Sequence, residues 1–185
     1  MFRVLQVLGL LVGFGLVAAC GSSDGDGGGG GSVDSDEALR AMMQVIALDF
    51  AQVLADVAPS GNVLAEKQDG ATDCPQGGAA VWTDGGFGGG GSLSLDDCKM
   101  SGVAVSGTLI GTLESGENEV DVSMMRGPIS TTGSYAAELN VTNLILNAQL
   151  PVTDEFTYWD ITATTPLGTP ICAWSGGPGC APSPF

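Results

Sequence analysis

The sequence predicts a β-rich α+β domain, with one N-terminal amphipathic helix packed on a twisted antiparallel sheet that is free to curl toward a half-barrel. Three observations carry this. Apolar residues behind Asp34 recur at three and four residues for some twenty positions. Beyond Gly61 the period drops to two, and the alternating segments are separated by short turns with no helical pattern between them. Side chains repeat every 3.6 residues on a helix and every second residue on a strand, so the change of period marks a change of element. Strands joined by short turns pair antiparallel, because a parallel connection needs a long crossover.

The helix begins where Asp34 stands three residues before Glu37, the spacing of a capping box. Leu39, Met42, Met43, Ile46, Phe50, Val53, Leu54 and Val57 form its apolar stripe, and Arg40, Gln44, Asp49, Gln52 and Asp56 fall mostly between them. It ends before Pro59 and Gly61. The methionines in the stripe read as core packing, so the helix is expected to cover the concave side of the sheet.

Val103, Val105, Leu109 and Leu113 share one strand face, with Gly107 and Gly111 between them. Ser115-Gly116-Glu117-Asn118 reads as a turn, after which Val120, Val122 and Met124 alternate with Asp121 and Ser123. Arg126-Gly127-Pro128 is expected to break that strand, and Ile129 to start another running through Tyr135, Ala137, Leu139 and Val141. After Thr142 the apolar positions shift parity to Leu144 and Leu146, which predicts a bulge or corner near Asn143. Residues 156–164 give a further strand, with Trp159, Ile161 and Ala163 on one side. Shorter candidates are 63–67, 79–83 and 92–96, and the glycine-rich tract from Gly85 to Gly91 is expected to form a hairpin tip between the last two. The stretch 165–185, with five prolines, is expected to wrap the surface as an irregular strap.

The first residues give an address. Arg3 precedes a sixteen-residue stretch from Val4 to Ala19 broken only by Gln6 and three glycines. That is short for a membrane span, which needs about 20 apolar residues, and suits the core of a secretory signal. The stretch ends Leu16-Val17-Ala18-Ala19-Cys20, which resembles the lipobox of bacterial lipoproteins, an aliphatic residue and two small ones before a cysteine. The resemblance covers this segment alone. It implies that Cys20 receives a diacylglycerol on its sulfur, becomes the first residue of the mature chain, and anchors it to a membrane. Gly21 replaces the aspartate that usually retains Gram-negative lipoproteins at the inner membrane, which implies outer-membrane sorting in such a host. The chain then divides into a signal peptide (1–19), a Gly/Ser/Asp-rich tether (20–33) and a single domain (34–185). A coil of the tether's composition spans about 20 Å root-mean-square.

With Cys20 given to lipid, Cys74, Cys98, Cys172 and Cys180 remain, an even number in an exported protein and hence disulfides. Three pairings are open. The sequential one closes two local loops and stabilises by about 3.5 and about 2.6 kcal/mol in the loop-entropy model. No C-x2-C pair supports a zinc site.

Composition narrows function by exclusion. Among 185 residues, 21 are acidic and 5 basic, giving a net charge of -16 with no histidine. Phosphate recognition needs clustered Lys and Arg, so nucleic acid is not an expected partner. Without histidine there is no Ser-His or Cys-His nucleophile and no His-ligated metal. Asp24 and Asp26 start like a calcium loop, but Gly28 and Ser35 occupy later ligand positions, so no metal is expected. Paired carboxylates would be the remaining catalytic device. The candidates Asp96, Asp97, Asp121 and Asp160 read as solvated surface, with Asp96 and Asp97 on opposite strand faces and none in an apolar setting. Tyr158 and Trp159 place one ring outward and one inward, the outer one offering a sugar or peptide platform.

The expectation is therefore a non-catalytic lipoprotein without a cofactor, serving binding or envelope structure and meeting the membrane through Cys20, with a protein partner or an apolar ligand. The alternative is a carrier enclosing an apolar ligand or lipid between helix and sheet. It requires an apolar cavity of about 300 Å³ or more, lined by residues such as Met43, Phe50, Val105 and Leu139. A filled interior favours the first reading.

Overall fold

The computed structural model describes residues 31–58, 69–85, 90–116, 118–153 and 157–182. A two-residue strand, β1 (Gly31–Ser32), precedes the helix α1 (Asp36–Val57). There follow β2 (Gly70–Asp73), β3 (Ala79–Asp84), β4 (Gly90–Met100), β5 (Val103–Ser115), β6 (Glu119–Gly133), β7 (Tyr135–Gln149), β8 (Thr157–Thr164), β9 (Pro170–Trp174) and β10 (Gly177–Pro178). β2 to β10 pair in sequence order as an antiparallel meander, and β1 lies parallel to the start of β7, with Gly31 opposite Tyr135. The sheet is open, and the fold is the β-rich α+β class that the two periodicities indicate.

The helix starts one residue later than the Asp34–Glu37 spacing suggests. Ser35 is the N-cap: its backbone is extended and its hydroxyl accepts a hydrogen bond from the Ala38 amide at 3.3 Å. This puts Asp36 and Glu37 in the first turn, where the helix dipole favours negative charge. Asp36 Oδ1 also accepts from the Cys172 amide of β9 at 2.8 Å. At the other end Ala58 is extended, the conformation imposed on a residue before proline.

The helix touches every strand from β2 to β10, so the sheet wraps around it. Its first turn is bonded to β9, and the backbone of Val57 lies against Gly70 of β2, where a Cβ would come within 2.0 Å of the Val57 carbonyl. α1 thereby bridges the two margins of the open sheet. It is long and apolar enough to cross a membrane, but its apolar stripe is spent on this core. Leu39, Met42 and Leu54 pack with Trp82, Leu93, Met100, Leu109, Met125, Leu146 and Ile161, all almost fully buried. Each such side chain stabilises the fold by about 1.5–3 kcal/mol relative to exposure.

Sheet curvature comes from a line of irregularities across four strands. In β4, Asp96 and Asp97 together oppose Ser106, a bulge with Asp97 at φ 48°. Leu95 pairs with Gly107 of β5, whose φ is 143°. Gly127 of β6, at φ 150°, pairs with Val141 of β7, and the β7–β8 register slips between Val141 and Asn143. The slip is the corner expected near Asn143. Bulges and glycines at such positions bend strands and let a sheet coil.

Two expectations are corrected. Arg126-Gly127-Pro128 does not end a strand, because β6 runs through it to Gly133, and the chain turns at Gly133 and Ser134 instead. The β5–β6 ladder lapses between the Gly107–Ile129 and Ile110–Arg126 pairs, which leaves Pro128 without a β5 partner, while on its other side it stands opposite Asn140 of β7. Gly127 allows close approach, since a Cβ there would sit 2.2 Å from the Thr108 carbonyl. The C-terminal strap is also more regular than its prolines imply. Pro170 opens β9 and Pro178 lies in the edge strand β10, the two settings where proline costs a sheet least. Ile171, Cys172 and Ala173 of β9 are buried. β2 was not anticipated, and the candidate strand 63–67 lies outside the described residues.

Candidate functional site

The cysteines pair sequentially: Cys74 with Cys98, and Cys172 with Cys180. The first bond ties the β2–β3 turn to β4, and the second ties β9 to the chain beyond β10. Cys20 and the rest of the lipobox lie outside the described residues.

Between helix and sheet there is a small void of about 30 Å³. Met42, Met43, Ile46 and Phe50 line it from the helix, and Val105, Leu109, Val141 and Ile161 are among its lining from the sheet. Leu139 is buried but does not reach it. Thr131 contributes the sole polar side chain of the lining, and its buried hydroxyl has no hydrogen-bond partner. A water needs two or more polar partners, so this space is suited to remain dry. Its volume is about a tenth of what a small-molecule site requires. The helix above it is fastened by Asp36 to β9 and by Asp49, whose Oδ2 accepts from the Ser101 hydroxyl at 2.7 Å. At this void the described residues of helix and sheet leave little space between them.

The carboxylates lie on the outer, convex face. Asp96 and Asp97 do not alternate between faces as adjacent strand residues normally do. The bulge leaves both exposed, with the Asp97 amide bonded to the Ser106 hydroxyl and its carboxylate 3.0 Å from Lys99. Asp121 is exposed on β6, directly opposite Glu114 of β5 on one side and Asn147 of β7 on the other. Asp160 faces outward from β8 between Ile145 of β7 and Trp174 of β9. Burial there raises the Asp160 carboxyl above the ordinary aspartate range, correcting the expectation that no candidate has an apolar setting. Tyr158, two residues away on the same face, has its hydroxyl raised by burial and then by the Asp160 charge. Trp159 points into the core and Tyr158 outward, 40% exposed, as alternation requires.

Among the described residues no group of three or more Cys, Asp or Glu is placed to hold a metal ion. The grouping of Tyr158, Asp160 and Trp174 escaped sequence reasoning, because Trp174 fell within the supposed strap and Ile145 belongs to another strand. The Glu114–Asp121 pair also escaped it, because the hairpin closes on the Ser115–Val120 pair, one residue beyond the centre of the Ser115–Asn118 turn. Comparison of the chain with known protein families, characterised proteins and solved structures gives no match.

Proposed function

We propose that this chain is a membrane-anchored bacterial lipoprotein whose domain acts as a non-catalytic binding or envelope-structural module. The observation that carries the reading is Leu16-Val17-Ala18-Ala19-Cys20, followed directly by a glycine-rich tether. Two acyl chains at Cys20 suffice for lasting attachment, at about 0.8 kcal/mol per buried methylene. Gly21 favours the outer membrane in a Gram-negative host. The domain's two disulfides suit the oxidising space beyond the inner membrane. The non-catalytic part is supported by the small size of the void between helix and sheet and by carboxylates spread over a convex face rather than gathered in a cleft.

The test is Cys20→Ala in the native host. The variant is expected to lose the acyl mass increment and move from the membrane to the soluble fraction. Undiminished membrane association would overturn the anchor.

A further inference from the structure

The outer face carries a run of side chains that the anchor and the core leave unused. Register sets them in two adjacent rows near one end of the sheet. In the first, Glu114 faces Asp121, Asp121 faces Asn147, and Asn147 faces Tyr158. In the second, Asp160 faces Trp174. Directly opposed residues have Cβ atoms about 5 Å apart, so each row is continuous. Three carboxylates and two aromatic rings thus share one surface. Among the described residues no ion pair reaches Glu114, Asp121 or Asp160.

This arrangement works against stability. Like charges directly opposite each other on a sheet, as Glu114 and Asp121 are, destabilise it. Asp160 holds its charge beside Ile145 and Trp174, where burial makes ionisation costly. A cation from outside would relieve both. Aromatic faces attract cations through the ring quadrupole, and a carboxylate alongside supplies charge-assisted hydrogen bonds to ammonium or guanidinium. At -16 the whole chain favours encounter with basic partners.

Position agrees. The tether enters the domain at Gly31, whose amide donates to the Ser134 carbonyl beside the first residue of β7. Asn147 lies twelve residues further along β7, about 40 Å away at strand rise. The patch therefore sits at the end of β7 remote from the point where the tether joins the sheet.

We propose that the outer face bearing Glu114, Asp121, Tyr158, Asp160 and Trp174 docks a basic segment of a partner protein, with one arginine or lysine side chain seated against Asp160 between Tyr158 and Trp174. This rests on the reading of the domain as a binding module and names the chemistry of its partner.

The test uses the full chain purified from membranes in a non-ionic detergent. The probe is a fluorescently labelled nine-residue peptide of alternating arginine and glycine, followed by anisotropy. Asp160→Asn and Trp174→Leu are each expected to weaken binding at least fivefold. Glu138→Gln, which removes an exposed charge from the opposite end of β7, should change it less than twofold. Should Trp174→Leu disturb the β8–β9 pairing, seen as a lowered melting temperature, Tyr158→Ser reports on the same platform from an exposed position. Equal losses for Asp160→Asn and Glu138→Gln would reduce the effect to net charge and overturn the site. Equal binding of a peptide with glutamine in place of arginine would overturn the cation. Cys20→Ala protein is expected to bind the peptide unchanged, so failure of the anchor and failure of the docking face give different results.

Discussion

The two faces of β8 have opposite fates. Trp159, Ile161 and Ala163 point into the core and are almost completely buried, whereas Tyr158, Asp160 and Thr162 alternate with them and look outward. The same contrast extends over the sheet: its concave side wraps α1 with little space left, and its convex side gathers the charges. The core therefore holds stability, and the convex face is free to carry recognition. A residue such as Asp160, whose charge is disfavoured where it stands, is informative because nothing in the core requires it there.

The largest expected effect tests the inner face. Trp82 is fully buried, and Trp82→Ala should lower unfolding free energy by about 3–5 kcal/mol. Ile110→Ala, on the exposed side of β5, should stay within about 0.5 kcal/mol. Urea denaturation measures both, and similar losses would erase the distinction between the faces. Gly127→Ala comes next and tests the curvature that creates them. Its φ of 150° and the nearby Thr108 carbonyl leave no room for a methyl group, so a cost of about 1–3 kcal/mol is expected. A neutral result would mean that β6 does not need its bend.

The smallest effect sharpens the outer face. Because the folded state raises the Asp160 pKa, it holds that proton more tightly than the unfolded chain. The site's contribution therefore becomes less favourable as pH rises through the unfolded and then the raised folded value, and recovers as pH falls. Tyr158, raised as well, stays neutral across this range. Asp160→Asn should be at least as stable as the wild type at neutral pH, with the difference shrinking on acidification. Melting temperatures recorded from pH 7 downward check this, and a variant less stable than wild type at neutral pH would show that Asp160 is structural.

Much of the architecture was legible from local pattern. The helix, the β5 strand, the turn after it and the corner near Asn143 each leave a signal within a few residues, whereas the cysteine count indicates disulfides and leaves their pairing open. The failures share a cause. Arg126-Gly127-Pro128 looks like a stop because glycine and proline weaken strands, but β7 pairs with β6 through Gly127 and Pro128 while β5 pairs on either side of them. The proline-rich C-terminus looks irregular because propensity does not record that β8 offers a free edge to pair with. Asp96 and Asp97 escape strict alternation because the bulge opposite Ser106 is a property of two strands together.

The amino-acid sequence by itself determined periodicity, charge, cysteine spacing and the lipobox resemblance, since each depends on neighbours along the chain. Tertiary structure alone decided how tightly the helix fills the curled sheet and which carboxylates stand beside which rings. Those outcomes depend on strand register and summed side-chain volumes, quantities that exist only once distant segments are brought together.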